Sequence, residues 1–194
     1  MNREEYFRAI ADRLHGDELA YVQRAYWLVK EAHRKQFRRL TGERFFEHVR
    51  RVSYSAGVTY GYYDAPTLAL GLLHDIVEDS YVPSSVIVSL FGQTMYNEVL
   101  LLSKELPSYN VVTGEVIAKA KLTDKVYYGS LATAPERPRI IKGCDRLDNI
   151  ADLKQWEPER REKYIKETRE LVLPVVTDKR IHQAILDRLA GQGC

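Results

Sequence analysis

Cysteine is scarce. Cys144 and Cys194 are the whole supply, too few for a disulfide framework, and the second is the final residue. Long hydrophobic runs are missing as well: no stretch approaches the ~18 consecutive apolar residues that a membrane-spanning helix needs. Nor is there a surplus of one charge. The chain sets 29 Lys and Arg against 27 Asp and Glu, and a formal charge of +2 leaves no electrostatic footprint for nucleic acid. Repeats, low-complexity segments and long linkers are absent, and the opening Met-Asn-Arg-Glu-Glu is too charged to begin a secretory signal. These absences predict a soluble, cytoplasmic protein in a reducing compartment, with neither a membrane nor a nucleic-acid partner.

What remains is an ordinary globular composition, 45% apolar and 29% charged over 194 residues, long enough for one domain with a substantial core. Its periodicity is helical nearly throughout. Helices are expected over 3–14, 18–39, 46–60, 65–79, 83–90, 94–104, 114–132, 136–154, 158–173 and 178–190. Asp64 is placed to cap a helix with Pro66 in its first turn, and Pro158 to open another. Val86, Ile87 and Val88 have strand character, but Phe91-Gly92 follows too soon for a hairpin. The expectation is one all-α domain, a single bundle of about eight to ten helices spanning 1–194.

Charge is unevenly distributed. Seven bases (Arg34, Lys35, Arg38, Arg39, Arg44, Arg50 and Arg51) face only Glu43 and Glu47 between residues 33 and 51. Acids gather instead at Asp75, Glu78 and Asp79, and again at Asp145, Asp148 and Asp152. Such a layout suits an anionic ligand held by arginines beside a metal held by carboxylates; a solvated basic helix end is the bland alternative.

The segment APTLALGLLHDIVEDS, residues 65–80, is apolar on every side from Leu68 to Val77 except at His74 and Asp75. A helix apolar all round belongs in the core, and an ionised aspartate there is costly unless it is paired or binds a metal. Helical spacing puts His74 with Glu78 and Asp75 with Asp79 on adjacent faces, so two candidate ligands are backed by two candidate proton-transfer groups. A core histidine salt-bridged to aspartate is the competing explanation. In RIIKGCDRLDNIADL, residues 139–153, Asp145, Asp148, Asn149 and Asp152 share one stripe. Their mutual repulsion is eased by a nearby cation, or by solvent together with Lys142 and Arg146. His48, on the side of Val52 and Ala56, joins as a third segment's candidate, although a histidine beside an apolar stripe is more often a satisfied core residue. Two imidazoles and two carboxylates suit Mn, Fe or Zn better than Ca or Mg, and such an ion lowers the pKa of a water and polarises phosphorus.

Taken together, these segments resemble the HD-domain phosphohydrolases. They resemble in particular the hydrolase domain of RelA/SpoT-type alarmone enzymes and the single-domain small alarmone hydrolases. Ala32-His33 through Gln36-Phe37-Arg38 is similar to the family's AHxGQxR, and Thr41-Gly42-Glu43 with Phe45, Phe46 and His48 to its SGEPYIxH. Leu72-Leu73-His74-Asp75 with Glu78-Asp79-Ser80 matches LLHDxxEDT, and Ile141-Lys142 with Asp145-Arg146-Leu147 and Asn149 matches IKLADRLxN. Phe91-Gly92, Ser103-Lys104 and Glu167-Thr168 through Pro174 support the likeness, which keeps one order from about residue 20 to 176.

The resemblance implies a metal on His48, His74, Asp75 and Asp145, usually Mn²⁺. It implies Glu78 and Asp79 managing the attacking water and proton transfer. Arg38 and Arg39, through the guanine face or the phosphates, and Asn149 would contact a guanosine polyphosphate. The implied reaction removes the 3′-pyrophosphate of ppGpp or pppGpp, giving GDP or GTP. Alternatives are another nucleotide substrate (a deoxynucleoside triphosphate, a cyclic nucleotide or the 2′-phosphate of NADPH) or a nucleotide-sensing module without turnover. The synthetase and regulatory domains of the long enzymes are not expected, since the chain runs only about 20 residues past the last match. Departures from the family pattern bear on substrate choice and leave the metal and acid-pair positions intact: Leu40 is an extra residue, Arg44 and Val49 replace prolines, Asp148 replaces a histidine and Asp152 a threonine.

Overall fold

The computed structural model describes residues 1–191, so Cys194 lies outside the described residues. Among these residues are eleven α-helices, four short π or 3-10 segments and one two-stranded antiparallel hairpin. None of the helices is long and apolar enough to cross a membrane. In chain order the first helices are α1 (Arg3–Ala11), α2 (Gly16–Ala32), α3 (Phe45–Tyr54), α4 (Ala65–Leu73), α5 (Ile76–Asp79), α6 (Ser84–Phe91) and α7 (Gln93–Leu102). The hairpin β1 (Glu105–Tyr109) and β2 (Val116–Lys121) follows, then α8 (Asp124–Ala132), α9 (Glu136–Ala151), α10 (Pro158–Glu167) and α11 (Lys179–Ala190).

The centre is α4. Leu68, Ala69, Leu70, Leu72 and Leu73 are fully buried, as a helix apolar all round must be, and α2, α3, α7 and α9 pack around it. Asp64 caps it by accepting from Thr67 N–H at 2.9 Å, with Pro66 in the first turn. Gly71 makes the approach of α3 possible, because a Cβ there would stand 2.7 Å from Ser53 Cα. Gly71→Ala is therefore expected to destabilise the fold. The better helix propensity of alanine is worth about 1 kcal/mol, but the clash is with backbone that cannot swing away, and overpacking costs roughly 1–3 kcal/mol or more. A fall in the urea midpoint checks this; a rise would mean that α3 yields freely.

Three expectations need correction. The helix read over 18–39 stops at Ala32, and residues 36–45 turn back on themselves. Phe37 and Arg44 bridge, Arg38 N–H reaches Glu43 C=O at 2.7 Å, and Gly42 supplies the left-handed turn at φ +68°. The helix read over 65–79 breaks at His74-Asp75, where Asp75 leaves helical geometry at φ −100°, ψ 1°. That break turns ten expected helices into eleven. Finally, residues 114–121 do not start a helix: Val116–Lys121 form β2. Ala118-Lys-Ala-Lys121 has helix-forming composition, yet Asn110 Oδ1 accepts from Val112 and Thr113 N–H, and Gly114 sits at φ +71°, closing a turn that pairs β2 with β1.

Candidate metal centre and catalytic pocket

Three helices converge. α3 brings His48, the break after α4 brings His74 and Asp75, and the middle of α9 brings Asp145. His48, His74 and Asp145 are all buried, and each offers a ligand atom within 4.8 Å of the others. His48 Nε2 lies 3.4 Å from Asp145 Oδ1 and 3.5 Å from Asp75 Oδ2; His74 Nε2 lies 3.1 Å from Asp75 Oδ2. Both imidazoles are oriented from behind. His74 Nδ1–H donates to Gly71 C=O at 2.8 Å, and His48 Nδ1–H donates to Asp148 Oδ2 at 2.7 Å. The Nε2 atoms are thereby the ones turned to the centre, the tautomer that a metal-binding histidine needs.

These residues fit a divalent cation. His74 Nε2 is buried without any hydrogen-bond partner, which costs free energy unless the lone pair is used. The carboxylates also press on the imidazoles. Burial alone would lower His48, but hydrogen bonds to Asp145, Asp148 and Asp75 hold it well above the ordinary imidazole value. Burial likewise opposes charge on His74, and Asp75 and Asp145 overcome it. Lys142 neutralises the other oxygen of Asp145 at 2.9 Å, and Asn149 Nδ2 donates to Oδ1 at 2.6 Å.

Beside this centre opens a cavity of about 410 Å³, lined among others by Glu78, Asp79, Lys104, Arg146, Trp156 and Arg160. Glu78 Oε2 accepts from the Lys104 backbone N–H at 2.7 Å, and burial, then Asp75, raises its carboxyl above the usual range. Desolvation, followed by Asp75 and Glu78, pushes Asp79 up to about 7. The backbone carrying both acids is clamped from two sides. Lys119 Nζ, from β2, donates to Glu78 C=O at 2.6 Å and Ser80 C=O at 2.7 Å, while Gln36 Nε2 donates to Asp79 C=O at 2.6 Å.

The chain has relatives among known proteins. No protein-family model matches the chain. A guanosine-3′,5′-bis(diphosphate) 3′-pyrophosphohydrolase of Aquifex aeolicus is 33% identical over 156 residues, 79% of this chain and 21% of that protein. A probable enzyme of the same name from Mycoplasma genitalium is 28% identical over 169 residues, 86% of this chain and 23% of the relative. The chain thus spans about a fifth of the length of these curated relatives. A solved structure described as a metazoan ortholog of SpoT that hydrolyzes ppGpp superposes with a TM-score of 0.74. It is 22% identical and covers 90% of this chain and 96% of its own. The chain is similar along four fifths of its length to one part of the pyrophosphohydrolase and shares the fold of the SpoT ortholog.

The substrate-side candidates are placed unequally. Arg38 and Asn149 line the catalytic pocket and bond to each other at 2.5 Å. Arg38 also pairs with Asp148 at 3.0 Å and Asp152 at 3.4 Å. Arg39 is not brought into the pocket; it lines an adjoining groove with Asp152, Trp156 and Arg160. Asp148, a departure from the family pattern, is held by Arg51 at 2.6 Å as well as by Arg38, so its charge is compensated while it orients His48. Sequence reasoning set Lys142 beside Arg146 as easing the whole acidic stripe and did not single it out as the partner of Asp145, although their spacing of three on one helix signals it. It also missed the Lys104 backbone donor, for which no sequence signal exists.

Asp148→Asn is expected to weaken divalent-cation affinity by roughly 10–100-fold, the usual cost of losing a partner behind a metal ligand. Competition titration against a chelating dye measures it. Unchanged affinity would mean that His48 is oriented without the carboxylate charge.

Proposed function

We propose that residues 1–194 form one HD-type phosphohydrolase domain, a cytoplasmic Mn²⁺-dependent enzyme that removes the 3′-pyrophosphate from ppGpp or pppGpp. The observation that carries this reading is the placing of Glu78 and Asp79, two acids of raised pKa, beside a His-His-Asp-Asp set that fits a divalent cation. The relatives' printed names and the basic rim of the pocket support it.

His48, His74, Asp75 and Asp145 would hold the ion, a mixed nitrogen and oxygen set better suited to Mn²⁺ than to Ca²⁺ or Mg²⁺. When bound, the cation makes water a better nucleophile and offsets phosphate charge. Glu78, fixed by the Lys104 N–H, accepts a proton from the water that adds to the phosphorus on the sugar 3′ oxygen. The bond from that phosphorus to the 3′ oxygen breaks, Asp79 supplies the proton that the oxygen needs, and pyrophosphate leaves with GDP or GTP as the other product. Lys104 and Arg146 meet the leaving phosphates, and Arg38 and Asn149 meet the nucleoside end.

Incubation of purified protein with Mn²⁺ and ppGpp, followed by ion-exchange separation of products, should show GDP and pyrophosphate in equal amounts. Cleavage of a deoxynucleoside triphosphate, a cyclic nucleotide or NADPH with ppGpp untouched would replace the substrate and keep the chemistry. Nucleotide binding without any turnover would replace the chemistry as well.

A further inference from the structure

The basic run between His33 and Arg51 is only partly used by the catalytic pocket. Arg34, Arg44 and Arg50 of that run instead line a second cavity of about 650 Å³, between α1, the end of α2 and the first turns of α3. Arg3, Lys30, Arg34, Arg44 and Arg50 contribute to its wall, against Glu5 and Glu47. The two acids are already engaged: Glu47 pairs with Arg50, and Glu5 accepts from Asn2 N–H to close the cap of α1. Arg34 pairs with Glu31. Arg3, Lys30 and Arg44 have no carboxylate partner among the described residues. Arg3 and Lys30 rest over the Trp27 ring at 5.7 and 4.8 Å, and Arg44 over Phe37 at 5.9 Å. Arg50, 6% exposed, gives its Nη2 to Glu47 and the Met1 carbonyl, and its Nε has no hydrogen-bond partner. One buried guanidinium N–H without a partner, in the same wall as three cations without a carboxylate, describes a site for an anion with several charges.

We propose that this cleft is a second, non-catalytic binding site for an oligophosphate. The volume suits a ligand of nucleotide size. No residue lines both this cleft and the catalytic pocket. Along α3, Phe46, Glu47 and Arg50 face the cleft, while His48 faces the metal centre. The two are nevertheless joined. His33, at the cleft and 1% exposed, bonds through Nδ1 to Gln36 Oε1 at 2.7 Å, and Gln36 in turn holds the carbonyl of Asp79. A ligand that shifts His33 acts on the backbone carrying the acid pair without touching the reacting atoms.

The test uses the full chain with Arg3→Gln, Lys30→Gln and Arg44→Gln combined; all three side chains are exposed and outside the catalytic pocket. Inorganic tripolyphosphate is titrated calorimetrically without added metal, and GTP is titrated in a parallel arm. The triple variant should bind at least one of the two at least tenfold more weakly than the parent, with basal hydrolysis unchanged. GTP as the tighter ligand identifies a nucleotide site, and tripolyphosphate as the tighter one identifies a site for free polyphosphate. Undiminished binding of both probes by the variant overturns the proposal. So does loss confined to a single-stranded RNA oligonucleotide, which would make the cleft part of a nucleic-acid surface. Should the triple variant melt early, Arg44→Gln alone carries the same comparison.

Discussion

His74→Ala is expected to abolish the stabilisation that Mn²⁺ confers and to reduce turnover to under ~1% of the parent. The imidazole is 2% exposed and fixed by its Nδ1–H on Gly71 C=O, so Nε2 has no freedom to seek another partner. Removing a ligand should cost more than the 10–100-fold typical of the groups behind it. An ion present at about 1,000 times its dissociation constant adds roughly 4 kcal/mol of stability, visible as a rise in melting temperature. The variant should melt at the same temperature with Mn²⁺ as with chelator. Its baseline stability should also fall, because a buried ring is deleted. That loss is limited by the fact that Nε2 makes no hydrogen bond that alanine would break. A Mn²⁺-dependent rise in melting temperature that survives in His74→Ala would remove this residue from the centre.

Much of the fold could be read from the chain because its central helix is so apolar. A segment such as Leu68–Leu73, buried on every face, has to lie at the middle of a helical bundle, and the polar residues that interrupt it then have to meet partners there. The polar stripe of α9 is legible for the same reason: Asp145 and Asn149 are one helical turn apart and reach the same centre. Sequence periodicity fails where a side chain competes with the helix for backbone groups. His74 takes the Gly71 carbonyl and the helix breaks beside it; Asn110 takes two N–H groups and turns a helix-like segment into a hairpin. That hairpin matters to the site, since Lys119 reaches the carbonyls of Glu78 and Ser80 from 41 and 39 residues away. No window along the chain contains such a contact. Asp148 is the instructive case. By position it is an acid in place of a histidine, and only its two arginine partners make clear that its charge is spent on orienting His48.

Glu78→Gln separates catalysis from binding more cleanly than any ligand substitution. Glutamine keeps the length of the side chain and an oxygen for the Lys104 N–H, which now stands 2.7 Å from Glu78 Oε2, so the α5 backbone and the pocket wall should hold their shape. What it removes is the ability to take a proton. Loss of a general base costs about 10²–10⁴-fold, and kcat is expected to fall by at least roughly two orders while KM stays within a few-fold. Mn²⁺ affinity should change little, because Glu78 is not among the four residues of the centre. Burial and the Asp75 charge raise the Glu78 carboxyl, which makes it a stronger base than a solvated glutamate, and this is the property the amide abolishes. A nucleotide-sensing domain with no turnover would have no use for such a group and would bind its ligand equally well with either side chain. Full activity in Glu78→Gln would move the proton-accepting role elsewhere, and Asp79, whose carboxyl shares the pocket, would be the next position to substitute.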